Sequence, residues 1–320
     1  MRASAAFCLA FAMLLAGPSV AQPYPAKPVR VVIGWPAGGS NDLAGRVVFQ
    51  KLAEKYGQQF VIDNRPGAAG VLGAEIVARS PADGYTLMVH STTHVGNPWT
   101  YKKLPYDTFK DFTGVATLVG QPGVLVVHPS LPVKNTKELI ALAKSRPGQI
   151  NFSSSGNGSA PHLSMALFMS LSGTNLLHIP YKGGAPAVTA IVSGETQVMI
   201  ATLSTIITQI NAKRVRPFAV SSAQRLKLTP DLPTIAESGV PGYEMNPWVG
   251  VFAPGGTPRA IVEQLNAEIN RTLQMPDVVQ TLATQGSEPW LMTADQFQQR
   301  LRADYTKYGE LIKLAGVSPE

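Results

Sequence analysis

The stretch Val29-Arg30-Val31-Val32-Ile33-Gly34-Trp35-Pro36-Ala37-Gly38-Gly39-Ser40-Asn41-Asp42 runs from an apolar segment into a Gly-rich turn. Leu43 to Tyr56 then reads as a helix. A strand feeding such a turn and then a helix leaves backbone N–H groups unpaired at the helix start. The macrodipole makes that spot mildly positive, a ready seat for a carboxylate or phosphate. The turn thus predicts that the chain holds a small anion.

Outward from this unit, short β-rich runs alternate with amphipathic segments. Strands are predicted at Val29–Ile33, Phe60–Ile62, Tyr85–Val89, Gly123–His128, Ile150–Phe152, Gln197–Ile200 and Pro217–Val220. Helices are predicted at Asp42–Tyr56, Ala69–Ala78, Thr136–Ser145, His162–Ser172, Ala185–Val192 and Thr205–Ala212. This alternation implies an α/β fold with mostly parallel sheets covered on both faces. Asn135 to Glu138 and Thr293 to Gln296 read as capping boxes, and Thr257-Pro258 opens a helix through Leu273. The last stretch, to about Leu314, is therefore mainly helical. Pro122-Gly123 and Val220-Ser221-Ser222-Ala223 read as crossings between two lobes. One lobe is expected from residues 22–122 and 222–320, the other from 123–221.

Residues 1–21 read as a cleaved signal peptide. Arg2 gives the positive start, Ala5 to Ala16 is apolar, and Pro18-Ser19-Val20-Ala21 offers small residues for cleavage. A retained anchor is the alternative, but the run is shorter than the ~20 apolar residues of an ordinary span. Cleavage before Gln22 predicts a periplasmic or secreted protein. The single cysteine, Cys8, falls within this leader, so the mature chain has no disulfide or thiolate metal site. The net charge of +7 comes from scattered lysines and arginines with no aromatic-interleaved run. That argues against nucleic acid as a partner and fits either a mild pull on anions or ordinary solubility.

Three polar loops follow predicted strands. They are the turn through Asp42, His90-Ser91-Thr92-Thr93-His94, and Ser153 to His162. Each alone reads as a solvated turn; their shared position after strands points to one cleft. Their hydroxyls and free N–H groups suit a carboxylate, which accepts several hydrogen bonds at once. Ser40 and Asn41 read as ligand contacts, whereas Asp42 reads chiefly as a tie within the loop. Trp35 reads as an apolar wall over the ligand or as core, and Trp248 as core or as cleft rim. His162 at a helix start reads as an anion donor or a packing residue.

Enzyme motifs are missing from the sequence. No Gly-x-Ser-x-Gly elbow and no Gly-Lys-Ser/Thr phosphate loop occur. Gly156-Asn157-Gly158 is followed by Pro161 where a dinucleotide fingerprint needs glycine. His90 and His94 have i, i+4 spacing without an adjacent Glu, which argues against zinc. No cofactor and no metal are expected.

The chain resembles the Bug family, the periplasmic receptors of tripartite tricarboxylate transporters. The resemblance rests on Tyr24 to Arg30, Pro36 to Asp42, Asn64 to Gly70, Ala82 to Leu87, Ser155 to Ser159, Pro180 to Gly183, Pro233 to Gly239 and Ala253 to Pro258, in order. It implies a non-catalytic, two-lobed receptor of the type II periplasmic-binding (Venus-flytrap) kind that closes by hinge motion over a small carboxylate. The ligand contacts it implies are Gly39, Ser40, Asn41, Ser155, Gly158 and Ser159, with Ser91 and Thr92 nearby. Trp35 stands where many relatives have Phe. Ala201-Thr202 stands where some carry Asp for an amino-acid ammonium, so Thr202 favours a di- or tricarboxylate or an aromatic acid. The implied partner is an inner-membrane permease with large and small subunits, and the receptor is expected to be monomeric. A receptor serving a signalling partner, and a hydrolase or lyase on the same lobes, are the rival readings.

Overall fold

The computed structural model describes residues 24–319. The leader and Cys8 lie outside the described residues. In chain order the elements are β1 (Val29–Ile33), α1 (Ser40–Tyr56), β2 (Phe60–Asn64), α2 (Val71–Ala78), β3 (Thr86–Ser91), α3 (Thr93–Thr100), β4 (Phe112–Gly120) and β5 (Gly123–Val127). There follow α4 (Thr136–Ser145), β6 (Asn151–Ser154), α5 (Ala160–Ser172), β7 (Leu177–Pro180), α6 (Gly184–Ser193), β8 (Val198–Thr202), α7 (Leu203–Asn211) and β9 (Arg216–Val220). The chain finishes with β10 (Trp248–Pro254), α8 (Arg259–Thr272), α9 (Pro276–Thr284), β11 (Glu288–Pro289) and α10 (Ala294–Leu314).

Two sheets form, ordered β11-β4-β10-β3-β1-β2 and β7-β6-β8-β5-β9. Both are mixed, where mostly parallel sheets were expected. β1 is parallel to β2 and β3, and β6 to β7 and β8. β10 runs antiparallel to β3 and β4, and β5 antiparallel to β8 and β9. The reason is the route of the chain. The parallel strands end towards the space between the sheets, so a strand that enters from that space must run the other way. β5 and β10 are those entering strands.

β1, β4 and β10 are buried on both faces, which explains their nearly continuous apolar runs, whereas the edge strands β2 and β7 are partly exposed. One face of the first sheet packs under Ala44, Val48, Phe49 and Leu52 of α1 and Val262, Leu265 and Ile269 of α8. The other face packs under α2 and under Phe297 and Leu301 of α10. The second sheet is covered by α4 and α5 on one side and by α6 and α7 on the other. Each fully buried Val, Leu or Phe contributes about 1.5–3 kcal/mol relative to exposure. Of the two expected capping boxes, Thr293 and Gln296 make a reciprocal one, whereas Asn135 accepts from the Glu138 N–H while the Glu138 carboxylate accepts from Lys134 N–H and Asn135 Nδ2.

The chain crosses from the first sheet to the second at Gln121–Gly123. The segment Val220–Ala223, read from sequence as the return, does not itself lead back. Ile235 N–H donates to the Val220 carbonyl, and Ile235, Val240, Tyr243 and Met245 lie in the second sheet's core. The return comes at Asn246–Trp248. α10 makes a third connection, since Tyr308, Leu311 and Ile312 near its end also join the second sheet's core. Ser221 ties the first two crossings. Its hydroxyl accepts from Gly123 N–H and donates to the Met245 carbonyl, both at 2.6 Å.

Candidate ligand-binding cleft

A cavity of about 1850 Å³ opens beyond the carboxyl ends of the parallel strands of both sheets. That exceeds the roughly 300–1,000 Å³ of an enclosed small-molecule pocket, so this conformation is an open cleft. Trp35, Gly39, Ser40, Asn41, Ser91, Thr92, Ser155, Gly158, Ser159 and Thr202 all line it. The sequence-predicted residues, Asp42 excepted, therefore meet in one space.

The turn after β1 is built for free donors. Gly39 is the N-cap of α1, and glycine offers no side chain to cap the helix. The first N–H groups of α1 thus face the cleft without a side-chain partner. Asn41 is buried beside them, and its Oδ1 has no hydrogen-bond partner. The Ser40 and Ser155 hydroxyls likewise carry no bond to the described protein.

Asp42 sits behind this turn and does not line the cleft. Its carboxylate accepts from Gly38 N–H at 2.8 Å, Arg46 Nε at 2.8 Å and Asn64 Nδ2 at 2.9 Å. Burial opposes its ionisation, but these three partners together hold the carboxyl below its usual range. Its role is to pin the turn against β2.

His90 supports the same turn from below. It is fully buried, its ring meets Trp35 edge-on at 5.9 Å, and Ser91 N–H donates to its Nδ1 at 3.0 Å. Burial lowers its pKa to about 4. Gly70 lies against the ring with φ +85°, where an added Cβ would stand 2.1 Å from Nε2. Only glycine lets the chain at Ala68–Gly70 approach so closely.

On the second sheet, the loop after β6 is tied by histidines. Gly158 N–H donates to His162 Nδ1 at 3.1 Å, and the Ser154 hydroxyl bonds His178 Nε2 at 2.6 Å. The Ser159 hydroxyl is committed to the loop, donating to the Gly156 carbonyl at 2.7 Å and capping α5 at the His162 N–H. His162 is therefore an acceptor inside the loop. Trp248, in contrast, is fully buried and donates from Nε1 to Asp304 at 2.7 Å. It belongs to the core and not to the cleft rim.

Sequence reading missed several lining residues. Gln121 at the crossing, His178, Lys182 after β7, Leu314 at the end of α10 and residues 315–318 beyond it all face the cavity. The Pro180 to Gly183 motif was a usable signal for Lys182; the C-terminal residues had none. No group of three or more His, Cys, Asp or Glu able to hold a metal occurs among the described residues. No helix among them is long and apolar enough to cross a membrane.

Comparison with known proteins agrees with this geometry. A family model described as the tripartite tricarboxylate transporter family receptor matches residues 44–317. Protein BugT of Bordetella pertussis is 35% identical over 305 residues, covering 94% of this chain and 93% of BugT. A Rhodopseudomonas palustris protein solved with adipate superposes with a TM-score of 0.85 at 36% identity, covering 93% of this chain and all of that one. MatC from Rhodopseudomonas palustris, solved with bound malate, gives a TM-score of 0.78 at 30% identity, over 90% of this chain and all of MatC.

Proposed function

Because this chain belongs to the Bug family of tripartite tricarboxylate transporter receptors, we propose that it captures a small organic carboxylate in the periplasm and delivers it to an inner-membrane permease with large and small subunits. The observation that carries this reading is the side-chain-free N-terminus of α1 facing the same cleft as the Ser155–Ser159 loop. A carboxylate there accepts from Ser40 and Asn41 N–H groups on one side and from the Ser155 hydroxyl on the other. Trp35, Ser91, Thr92 and Thr202 complete its surroundings.

The first sheet and its helices form one lobe. The second sheet, with residues up to Met245 and the end of α10, forms the other. A ligand bridging both lobes binds only the closed state, so it shifts the population towards closure. The adipate and malate held by two relatives support a carboxylate as the ligand class. The protein acts as a monomeric receptor and not as an enzyme.

The test is a thermal melt of the refolded, ligand-free mature chain against citrate, aliphatic dicarboxylates, amino acids and aromatic acids. A ligand at a hundred times its Kd adds about 2.7 kcal/mol of stability. Ser40→Phe is expected to abolish that rise and leave the unliganded melt unchanged. Equal shifts in both proteins would refute the site, and conversion of the bound acid to a product would refute the receptor role.

A further inference from the structure

We infer that Lys182 is the residue that selects for a second negative charge on the ligand, so that the cleft takes dicarboxylates with an uncharged body. The inference rests on the carboxylate-receptor reading above. Among the described residues, Lys182 is the one lining side chain of the cleft with a fixed charge at neutral pH, and no Asp, Glu or Arg among them lines it. Lys182 is exposed and makes no hydrogen bond or ion pair with any described residue. Glu195, the acidic residue of the same strand–helix unit, accepts instead from the Tyr181 hydroxyl at 2.7 Å.

The position of this lysine has no structural rationale of its own. It directly precedes α6, whose N-cap Gly183 supplies no side-chain cap. A cation at the positive end of a helix is disfavoured, and acids are the residues that stabilise that place. Here two positive features stand side by side, and no acidic side chain among the described residues lines the cavity to balance them. An anionic group on the ligand supplies it.

The strand register sets the reach. β6 and β7 are parallel neighbours with Ser154 opposite Pro180, and Tyr181 N–H donates to the Ser154 carbonyl at 3.0 Å. Lys182 therefore leaves the sheet one strand spacing, about 4.8 Å, from the loop that holds the first carboxylate. Its flexible four-carbon stem lets the ammonium range through the cavity that the Ser155–Ser159 loop also lines. Trp35, Phe152, Met169 and Met199 line the same cavity and suit a hydrocarbon body. Among the described residues no lining carboxylate pairs with an amino-acid ammonium.

Calorimetric titration of the ligand-free mature chain tests this with succinate through suberate, malate, and straight-chain monocarboxylates of matching length. In the unaltered protein the best dicarboxylate is expected to bind at least tenfold more tightly than its monocarboxylate. Lys182→Met is expected to weaken that dicarboxylate about tenfold and leave the monocarboxylate unchanged; Lys182→Arg retains the preference. The exposed position makes both variants fold-neutral, checked by melting without ligand. Equal dicarboxylate affinity in Lys182→Met and the unaltered protein overturns the inference alone. So does equal affinity of the unaltered protein for the two acid types. Binding of neither series overturns the carboxylate reading itself, and Lys182's role with it.

Discussion

The imidazoles of His162 and His178 lie face to face at the cleft, ring centroids 3.8 Å apart and planes 14° apart. His178 stacks in turn on Phe152 at 4.8 Å. Two imidazolium cations at that spacing would repel strongly. Burial, with His178 beside it, lowers the His162 pKa to about 4, and burial lowers that of His178 too. A neutral His162 keeps Nδ1 free to accept the Gly158 N–H. A stacked pair thereby fixes the loop that meets the ligand.

His162→Phe retains the stacking surface and removes the acceptor. One net hydrogen bond is worth about 1 kcal/mol, so affinity for whichever of adipate or malate shifts the melt is expected to fall about fivefold. The unliganded melt should move little. Unchanged affinity by calorimetry would show that the Gly158 bond does not organise the site.

Acid should destabilise the protein well above the carboxylate range. His90 and His162 have pKa values of about 4 in the folded state, below the 6.5 of the free side chain, and burial pushes His94 down as well. The unfolded chain then binds more protons between these values, so stability is full above pH 6.5 and is lost as pH falls towards 4. Each such group contributes up to about 1.4 kcal/mol per pH unit in that window. Urea midpoints measured from pH 8 to 4 should stay level above pH 7 and then decline. A midpoint level down to pH 4 would contradict neutral burial of these rings.

Gly70→Ala should cost about 3 kcal/mol, because it combines a left-handed backbone with a collision at His90 Nε2. Adding His90→Ala removes the collision and leaves only the backbone strain. The double variant is thus expected to lose less than the sum of the single losses, by 0.5–3 kcal/mol as coupled neighbours do. Additive losses in denaturant titrations would rule the contact out.

Asp42→Ala separates pinning from ligand contact. It leaves Gly38 N–H without its acceptor and takes one bond each from Arg46 and Asn64, which keep their bonds to each other and to the Trp35 carbonyl, an expected loss of about 2 kcal/mol in stability. Ligand affinity should fall alongside, as the turn loosens. Weaker binding with an unchanged denaturation midpoint would instead make Asp42 a direct ligand contact.

Strand–turn–helix units such as β1–α1 were legible because an apolar run, a Gly-rich turn and a helical period coincide. β4 and β10 were not. Each is an apolar strand carrying a glycine, and the structure explains Gly250: a Cβ there would stand 2.5 Å from the Phe297 ring. That is a demand of tertiary packing, invisible to local pattern. α3 hid for a related reason, with Gly96 and Pro98 inside eight residues. In the cleft, loops after strands could be placed by topology alone. The inward commitment of the Ser159 hydroxyl, the acceptor role of His162 and the core position of Trp248 depend on side-chain direction, which the residue types leave open.

Ser221 gives the molecule one more property. Beyond its hydroxyl bonds, its N–H donates to the Gly123 carbonyl and its own carbonyl accepts from Met245 N–H, each at 2.8 Å. Both crossing chains are thus fastened to one residue on all sides. Gly123 begins β5, Ser221 follows β9 and Met245 lies in the second sheet's core, so these bonds brace the roots of both crossing chains on that sheet's side. Outside that brace the two crossings are joined directly, since Gln121 N–H donates to the Pro247 carbonyl at 2.6 Å. The two crossings therefore form one strap and not two independent strings.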